Sequence, residues 1–354
     1  MSKPAILFLI VLFCSVSVGY GQQAEKGHLR IAFYNVENAF DCRHDSLHDD
    51  QAFLPESPRN WSLSRYYEKL HHISQAIASL STSDGLPPAL VGMAEVENDS
   101  VLFGLTRQSP LRAAGYRFLM THNAPSADER GIDVALLYRP SHFHPFSWSE
   151  HPVMTTSLRQ QSHSFFLSPS PSSIRVRNIL LVSGELLSGD TLDVIVCHWP
   201  SKLGGKRLSG IRRELAAAST ANLVDSLQGV RANANIVVMG DMNDTPHSSA
   251  TTALAQHALV NLTEDCKGSY RYKGRWEQLD QLFVSYPLTS DHTSSSTQFS
   301  RIHIVDADVL REDFLLESEP VYGGQRPFRT WNGFRYKGGY SDHLPVFLDM
   351  EWEY

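Results

Sequence analysis

Residues Asn235–Asp244 read NIVVMGDMND, an apolar run that stops at a glycine and is followed at once by polar residues. A short apolar run rich in β-branched side chains and bounded by turn residues predicts a buried strand. Asp241 and Asn243 then stand where the chain leaves that strand. Because functional side chains in sheet proteins concentrate where loops leave the scaffold, this stretch predicts both a sheet and a candidate site.

The same pattern recurs along the chain. Polar residues follow or interrupt other strand-like runs at Asn35, Glu95 (after LVGMA), His198 (after LDVIVC), Asp280 (within EQLDQLFVS), and Asp342 and His343 (before LPVF). A single Asp or Asn at such a position is typical of a turn or a helix cap. The repetition indicates that distant segments contribute to one site.

The spacing of apolar residues predicts many strands and few helices. Helices are expected near 62–80 and 212–227, and strands near 29–35, 90–94, 116–120, 132–138, 176–187, 191–197, 235–239, 279–284, 301–306 and 346–352. Stretches 156–173 and 287–300 are rich in Ser, Pro or Thr and are expected to be surface loops. This order favours an α/β (α+β) sandwich with sheets inside and helices outside.

The first residues have the pattern of a secretory signal peptide. Lys3 precedes a short apolar run, and small residues follow up to Gly21. We therefore expect a signal peptide at 1–21, one domain at 22–354, export to the periplasm or the medium, and no integral membrane segment after cleavage. A retained anchor and a lipoprotein attached through Cys14 are the alternatives.

Charge and cysteine content restrict the class of protein further. The 354 residues carry a formal net charge of −7, which becomes −8 when Lys3 is removed with the signal peptide. A broad basic face for nucleic acid is therefore not expected. Cys42, Cys197 and Cys266 remain, an odd number that does not indicate a disulfide framework.

The polar residues at strand ends comprise four carboxylates, two amides and two imidazoles. Hard divalent ions prefer oxygen ligands, and Mg²⁺ often takes only one or two carboxylates and keeps waters for a phosphate. Imidazoles beside such an ion can stabilise or protonate developing oxyanions. The set fits metal-assisted hydrolysis of a phosphoester. It fits zinc poorly, because paired His or Cys ligand spacings are absent from the sequence.

These residues resemble the motifs of the endonuclease/exonuclease/phosphatase superfamily. The matching stretches, in the order of that family, are Phe33–Asn38, Gly92–Asn98, Arg130–Tyr138, His198–Ser201, Gly240–Asp244, Gln278–Gln281 and Ser341–His343. The resemblance implies a four-layer sandwich of two packed mixed β-sheets flanked by helices, with one site at an edge of the sandwich.

The resemblance also implies a role for each matched position. Glu95 looks like the principal metal ligand, with Asn35 beside it and Asp342 as a second metal ligand or an orienting partner. Asp241 and Asn243 look like the pair that orients water and phosphate. Asp280 and His343 look like a carboxylate–imidazole pair, and His198 looks like the acid for the leaving oxygen. The implied cofactor is Mg²⁺, with Mn²⁺ or Ca²⁺ as alternatives.

Substrate contacts are predicted from cations and one acid. Lys202 and Arg207 follow His198 and are expected to hold substrate phosphates, and Asp133 lies near a family acid that supports the first imidazole. The leading expectation is a nuclease that cleaves phosphodiester bonds, without a stable protein partner. A phosphomonoesterase, a phospholipid or sphingomyelin-type phosphodiesterase, and a non-catalytic binding module are the alternatives.

Overall fold

The computed structural model describes residues 26–125, 127–153, 176–202, 205–289 and 302–353. The expected signal peptide at 1–21, the predicted loop at 156–173, and the predicted loop at 287–300 apart from residues 287–289 lie outside the described residues.

Four α-helices and eighteen strands form in the described residues. The helices are α1 (Leu63–Ala78), α2 (Asp99–Phe103), α3 (Lys206–Val230) and α4 (Ser249–Ala255). The strands are β1 (Lys26–Ala39), β2 (Leu90–Val96), β3 (Arg117–Met120), β4 (Asp133–Tyr138), β5 (Phe143–His151), β6 (Ile179–Leu186), β7 (Thr191–His198), β8 (Asn235–Asp241), β9 (Leu259–Asn261), β10 (Tyr270–Tyr272), β11 (Arg275–Glu277), β12 (Asp280–Ser285), β13 (Ile302–Val309), β14 (Leu316–Ser318), β15 (Gln325–Pro327), β16 (Trp331–Asn332), β17 (Arg335–Tyr336) and β18 (Val346–Glu353).

Two six-stranded sheets form the centre of the fold. The first has the strand order β13-β18-β1-β2-β4-β3 and the second β5-β6-β7-β8-β12-β9. Each sheet is mixed, because β1 with β2 and β7 with β8 run parallel while the other neighbours run antiparallel. The predicted architecture of two packed mixed sheets with helices is confirmed.

Alternation along the strands explains the layers. Val194 and Val196 belong to the core between the two sheets, whereas Ile195 and Cys197, on the other face of β7, pack with α3 residues. Successive side chains of a strand point to opposite faces. A strand that is apolar on both faces can therefore bury one face against a sheet and the other against a helix, and β7 and β8 do both.

The structure corrects several sequence expectations. Helix α3 begins six residues earlier than 212 and ends three later than 227, and β1 extends beyond both predicted ends. Strand β5, which reads FHPFSWSEH, was not predicted. It lies at a sheet edge, where four of its nine residues are exposed and Pro145 sits at a register shift, so it lacks the apolar run that marks a central strand.

Two further expectations concern the cysteines and membrane-spanning segments. Cys42, Cys197 and Cys266 are all free. Among the described helices, none is both long and apolar enough to cross a membrane.

Candidate active site

Three predicted site residues form one row across the second sheet. In the parallel pairing of β7 with β8, His198 lies opposite Asp241, and in the antiparallel pairing of β8 with β12, Asp241 lies opposite Asp280. All three side chains are buried. Strand pairing therefore places an imidazole and two carboxylates side by side at the carboxyl end of the parallel strands.

The first sheet supplies the facing residues. Asn35 in β1 donates from Nδ2 to Oδ2 of Asp241 at 3.0 Å, which joins the two sheets at the site. Glu95 in β2 accepts a hydrogen bond from the backbone N–H of Asn38 at 2.9 Å. The carboxyl ends of β1, β2, β7 and β8 thus converge on one edge of the sandwich.

His343 lies against this row just before β18. Its Nδ1 is 2.6 Å from Oδ2 of Asp280, and its Nε2 is 3.8 Å from Oδ2 of Asp241. Ser269 donates to the same Asp280 oxygen, and the Tyr270 ring lies 4.8 Å from the imidazole centroid. The imidazole is therefore fixed between two carboxylates and an aromatic ring.

The two imidazoles have opposite electrostatic surroundings. Burial by itself lowers the pKa of His343, but the Asp280 and Asp241 carboxylates raise that pKa well above the usual range. Burial and the nearby Arg177 and Arg130 hold the pKa of His198 well below it. Groups whose pKa values are pushed apart by their environments suit complementary acid and base roles. This arrangement favours a protonated His343 and a neutral His198.

The neighbours of Asp241 have opposing effects on its pKa. Burial and the Asp280 carboxylate raise the pKa of Asp241 to about 7, while His343 opposes this rise. Asp241 accepts a hydrogen bond from the backbone N–H of Asn243 at 2.8 Å, and Asn243 donates from Nδ2 to the carbonyl of Trp199. The Asp–x–Asn turn therefore holds both polar groups at the end of β8.

Backbone strain concentrates here. Glu37, Asn38, Glu95 and Asn243 all have positive φ angles, between 48° and 64°. Side chains other than glycine adopt this region at a cost, and such residues cluster where a fold must aim a functional group. These angles support this edge of the sandwich as a candidate site.

A cleft of about 1000 Å³ opens above these residues. The predicted site residues that line it are Glu95, His198, Lys202, Asp241, Asn243, Asp342 and His343. Asn35 and Asp280 are buried and hydrogen-bonded to residues of its floor. The structure thus brings nine of the eleven predicted residues to one place.

Two predicted substrate residues do not line this cleft. Arg207 is exposed in the first turn of α3. Asp133 is buried in β4 and accepts hydrogen bonds from Thr121 Oγ1 at 2.5 Å and from the backbone N–H of Asn123 at 2.9 Å. Neither residue therefore joins the other predicted site residues at the cleft.

Two others are already paired. Lys202 Nζ lies 2.7 Å from Glu277, and the Arg329 guanidinium donates to Oδ2 of Asp342 at 2.6 Å. In the structure, the Arg329 guanidinium therefore competes with a metal ion for the Asp342 carboxylate.

Two groups of residues at the cleft are candidates to hold a cation. Ligand atoms of Asp241, Asp280 and His343 lie within 4.8 Å of one another, and Oδ1 of Asp280 is buried without a hydrogen-bond partner among the described residues. A protonated His343, however, has no lone pair to offer a metal. Glu95 at the cleft offers carboxylate oxygen, the ligand that Mg²⁺ prefers.

Sequence reasoning missed several residues of the cleft. Arg177 pairs with Asp128 at 2.8 Å, and Arg329 and Tyr270 line the wall beside His343. Tyr270 and Arg329 lie in or beside short hairpins without an apolar run, so the signal that identified the strand ends was absent there.

Comparisons with known proteins agree with this fold. The family model described as the endonuclease/exonuclease/phosphatase family matches residues 30–352. No curated protein sequence matches the chain. A Bacteroides thetaiotaomicron endonuclease/exonuclease/phosphatase family protein is 15% identical, with a TM-score of 0.57, over 93% of this chain and 99% of that chain.

Two further solved structures share the fold. The Bacteroides thetaiotaomicron VPI-5482 mannosyl-6-phosphatase is 16% identical, with a TM-score of 0.55, over 91% of this chain and 99% of that chain. The D. rerio TDP2 complexed with single-strand DNA product is 13% identical, with a TM-score of 0.50, over 91% of this chain and 98% of that chain. The same fold thus serves proteins with different phosphate-ester ligands.

Proposed function

Because this chain belongs to the endonuclease/exonuclease/phosphatase family, we propose that it is a divalent-metal-dependent phosphoesterase that hydrolyses phosphodiester bonds, with nucleic acid as its first candidate substrate. One observation carries this proposal: two imidazoles with oppositely shifted pKa values flank the Asp241 carboxylate on the floor of an open cleft. That arrangement suits attack by water on one side of a phosphorus atom and departure of an oxygen on the other.

Each site residue has its own part in this hydrolysis. Asp241 and Asn243 orient the attacking water and a phosphoryl oxygen. His343, protonated and held by Asp280, donates a hydrogen bond to the charge that develops on the phosphoryl group or the leaving oxygen. A neutral His198 accepts or relays a proton; this differs from the acid role that the resemblance implied, because burial and two arginines disfavour its charged form.

A divalent ion held by Glu95, with Asn35 and Asp342 as further candidates, would supply Lewis-acid stabilisation of phosphoryl charge. The strained backbone at Glu95 supports its role as the first of these ligands, since a φ of 64° is maintained at the mouth of the cleft. Mg²⁺ is the first ion to test, followed by Mn²⁺ and Ca²⁺.

The second candidate function is hydrolysis of a small phosphomonoester, and the charge of the cleft favours it. Seven carboxylates line the cleft against six Lys or Arg side chains, and Arg177 and Lys202 are each paired with one of those carboxylates. A polyanionic strand binds by exchanging its counterions for free protein cations. A single phosphate group needs fewer of them.

A substrate panel tests the proposal. The full chain is incubated with plasmid DNA, bis-(p-nitrophenyl) phosphate and p-nitrophenyl phosphate, with Mg²⁺, Mn²⁺, Ca²⁺ or EDTA. His343→Ala should lose all activity, while His257→Ala, an imidazole outside the cleft that pairs with Asp225, should keep it.

The panel separates the candidates. Metal-dependent nicking supports a nuclease. Turnover of the monoester alone supports the second candidate. Turnover of the small diester without nicking indicates a diesterase of another substrate class. Inactivity of the folded protein on every ester with every ion refutes the proposal and favours a binding module.

A further inference from the structure

Buried groups hold a short segment, residues 328–331, beside the cleft. Glu37 is only 3% exposed, and its carboxylate accepts hydrogen bonds from the backbone N–H groups of Thr330 at 2.6 Å and Trp331 at 3.2 Å. A buried carboxylate is expensive unless its oxygens are satisfied. Here the segment itself satisfies them.

A buried lysine fixes the same segment from the other side. Lys69 in α1 is 1% exposed, and its Nζ donates to Thr330 Oγ1 at 2.5 Å and to the carbonyl of Tyr340 at 2.6 Å. Burial lowers the pKa of Lys69 to about 8, against the opposing effect of Glu37. The fold therefore uses two ionisable side chains in its interior to hold one loop.

A close backbone approach completes the support. A Cβ atom at Gly339 would lie 2.2 Å from the carbonyl oxygen of Phe328 and 2.4 Å from that of Arg329, so only glycine fits there. The backbone N–H of Tyr340 donates to the Phe328 carbonyl at 2.6 Å. The residues on both sides of Arg329 are thus fixed in place.

These contacts place the Arg329 side chain at the cleft. Its guanidinium donates to Asp342 at 2.6 Å and lies 3.7 Å from a Glu37 oxygen. The side chain lines the cleft and is 32% exposed. A guanidinium has five donors in a planar fork, and the two carboxylates orient it while leaving donors for another acceptor.

We propose that Arg329 is a phosphate-binding residue of this site and that Glu37 and Lys69 are its positioning residues. This inference rests on the proposed function. Arg329 and the proposed catalytic imidazole of His343 both line this cleft. A planar fork matches two phosphate oxygens, and the bonds are charge-assisted. In the competing interpretation, the Arg329–Asp342 pair only stabilises the loop.

Arg326, in the adjacent strand β15, provides a matched control. It forms ion pairs with Glu317 and Glu319, and it does not line the cleft. Loss of either arginine should affect loop stability to a similar degree. Only loss of Arg329 should affect an anion in the cleft.

The experiment measures binding of inorganic phosphate by calorimetry at fixed Mg²⁺, together with kcat and KM on bis-(p-nitrophenyl) phosphate. We expect Arg329→Gln to weaken phosphate binding roughly 10- to 100-fold. The phosphate affinity of Arg329→Lys should lie between those of Arg329→Gln and the unmodified protein, because lysine keeps the charge and loses the planar fork. Arg326→Gln should bind phosphate as the unmodified protein does.

The positioning role has its own test. Glu37→Gln keeps an acceptor and removes the charge, and it should weaken phosphate binding several-fold although Glu37 is not proposed to touch the ligand. A variant that melts earlier and still binds phosphate normally would reduce Glu37 to a structural residue.

The outcomes separate this inference from the proposed function. If folded Arg329→Gln binds phosphate normally while the unmodified protein hydrolyses the ester, the inference is wrong and the function stands. If no ester is hydrolysed but Arg329→Gln loses phosphate binding, the function fails and the anion site stands. If Arg329→Gln does not fold, folded Arg329→Lys decides, and normal phosphate binding by it overturns the proposed fork.

Discussion

Replacement of Lys69 by methionine offers the most direct test of how the cleft is supported. The change removes two hydrogen bonds from a charged donor, to Thr330 and to the Tyr340 carbonyl. Such bonds contribute about 1.5–3 kcal/mol each. Part of this loss is offset because an ammonium group no longer has to be buried. Removal of one partner from a buried charge network typically costs about 3–5 kcal/mol, and we expect a loss in that range.

The assay is urea unfolding followed by tryptophan fluorescence. The midpoint should fall with an unchanged slope, and the melting temperature should drop by roughly 4–7 °C. Lys206→Met, a change of an exposed lysine at the start of α3, is the control and should stay within about 0.5 kcal/mol.

A double-mutant cycle tests whether the network acts as a unit. Lys69 and Glu37 hold the same residue, Thr330, so Lys69→Met and Glu37→Gln should be non-additive by about 1 kcal/mol or more. A loss below about 1 kcal/mol for Lys69→Met, or additivity within about 0.5 kcal/mol, would refute this account of the loop.

Three further changes have defined outcomes. Asp280→Asn keeps an acceptor near His343 and removes the charge, so kcat should fall about 10²- to 10⁴-fold with little change in KM, measured by steady-state kinetics on a diester. Gly339→Ala should lower the melting temperature, because its Cβ would overlap the Phe328 carbonyl; an unchanged melting curve would contradict the close approach. Burial raises the pKa of Asp133 to about 7, above its value in the unfolded chain, so its contribution to stability is present below about pH 4 and is lost as the pH rises through 7. Asp133→Asn should flatten that part of the stability–pH curve in urea titrations, and an unchanged slope would show that Asp133 does not titrate there.

The strand-end residues were predictable because their signal is local. An apolar run that stops at a polar residue predicts a buried strand with a polar end, and this identified Asn35, Glu95, His198 and Asp241. Proximity of Asn35 to Glu95, and of His198 to Asp241, also follows from a simple rule, since parallel neighbours present their carboxyl ends at the same edge. Strand β5 was not predicted, because an edge strand needs no continuous apolar run and therefore lacks this local signal.

By itself, the sequence determined the sandwich class and most of the candidate site residues, because hydrophobic periodicity is a property of adjacent residues. Only the tertiary structure decided which cations face the cleft. Arg207 and Arg329 are chemically alike in the sequence, yet one is exposed on α3 and the other is held beside Asp342 by Glu37 and the loop that Lys69 supports. Ion pairs join residues tens to hundreds of positions apart, and local patterns carry no record of them.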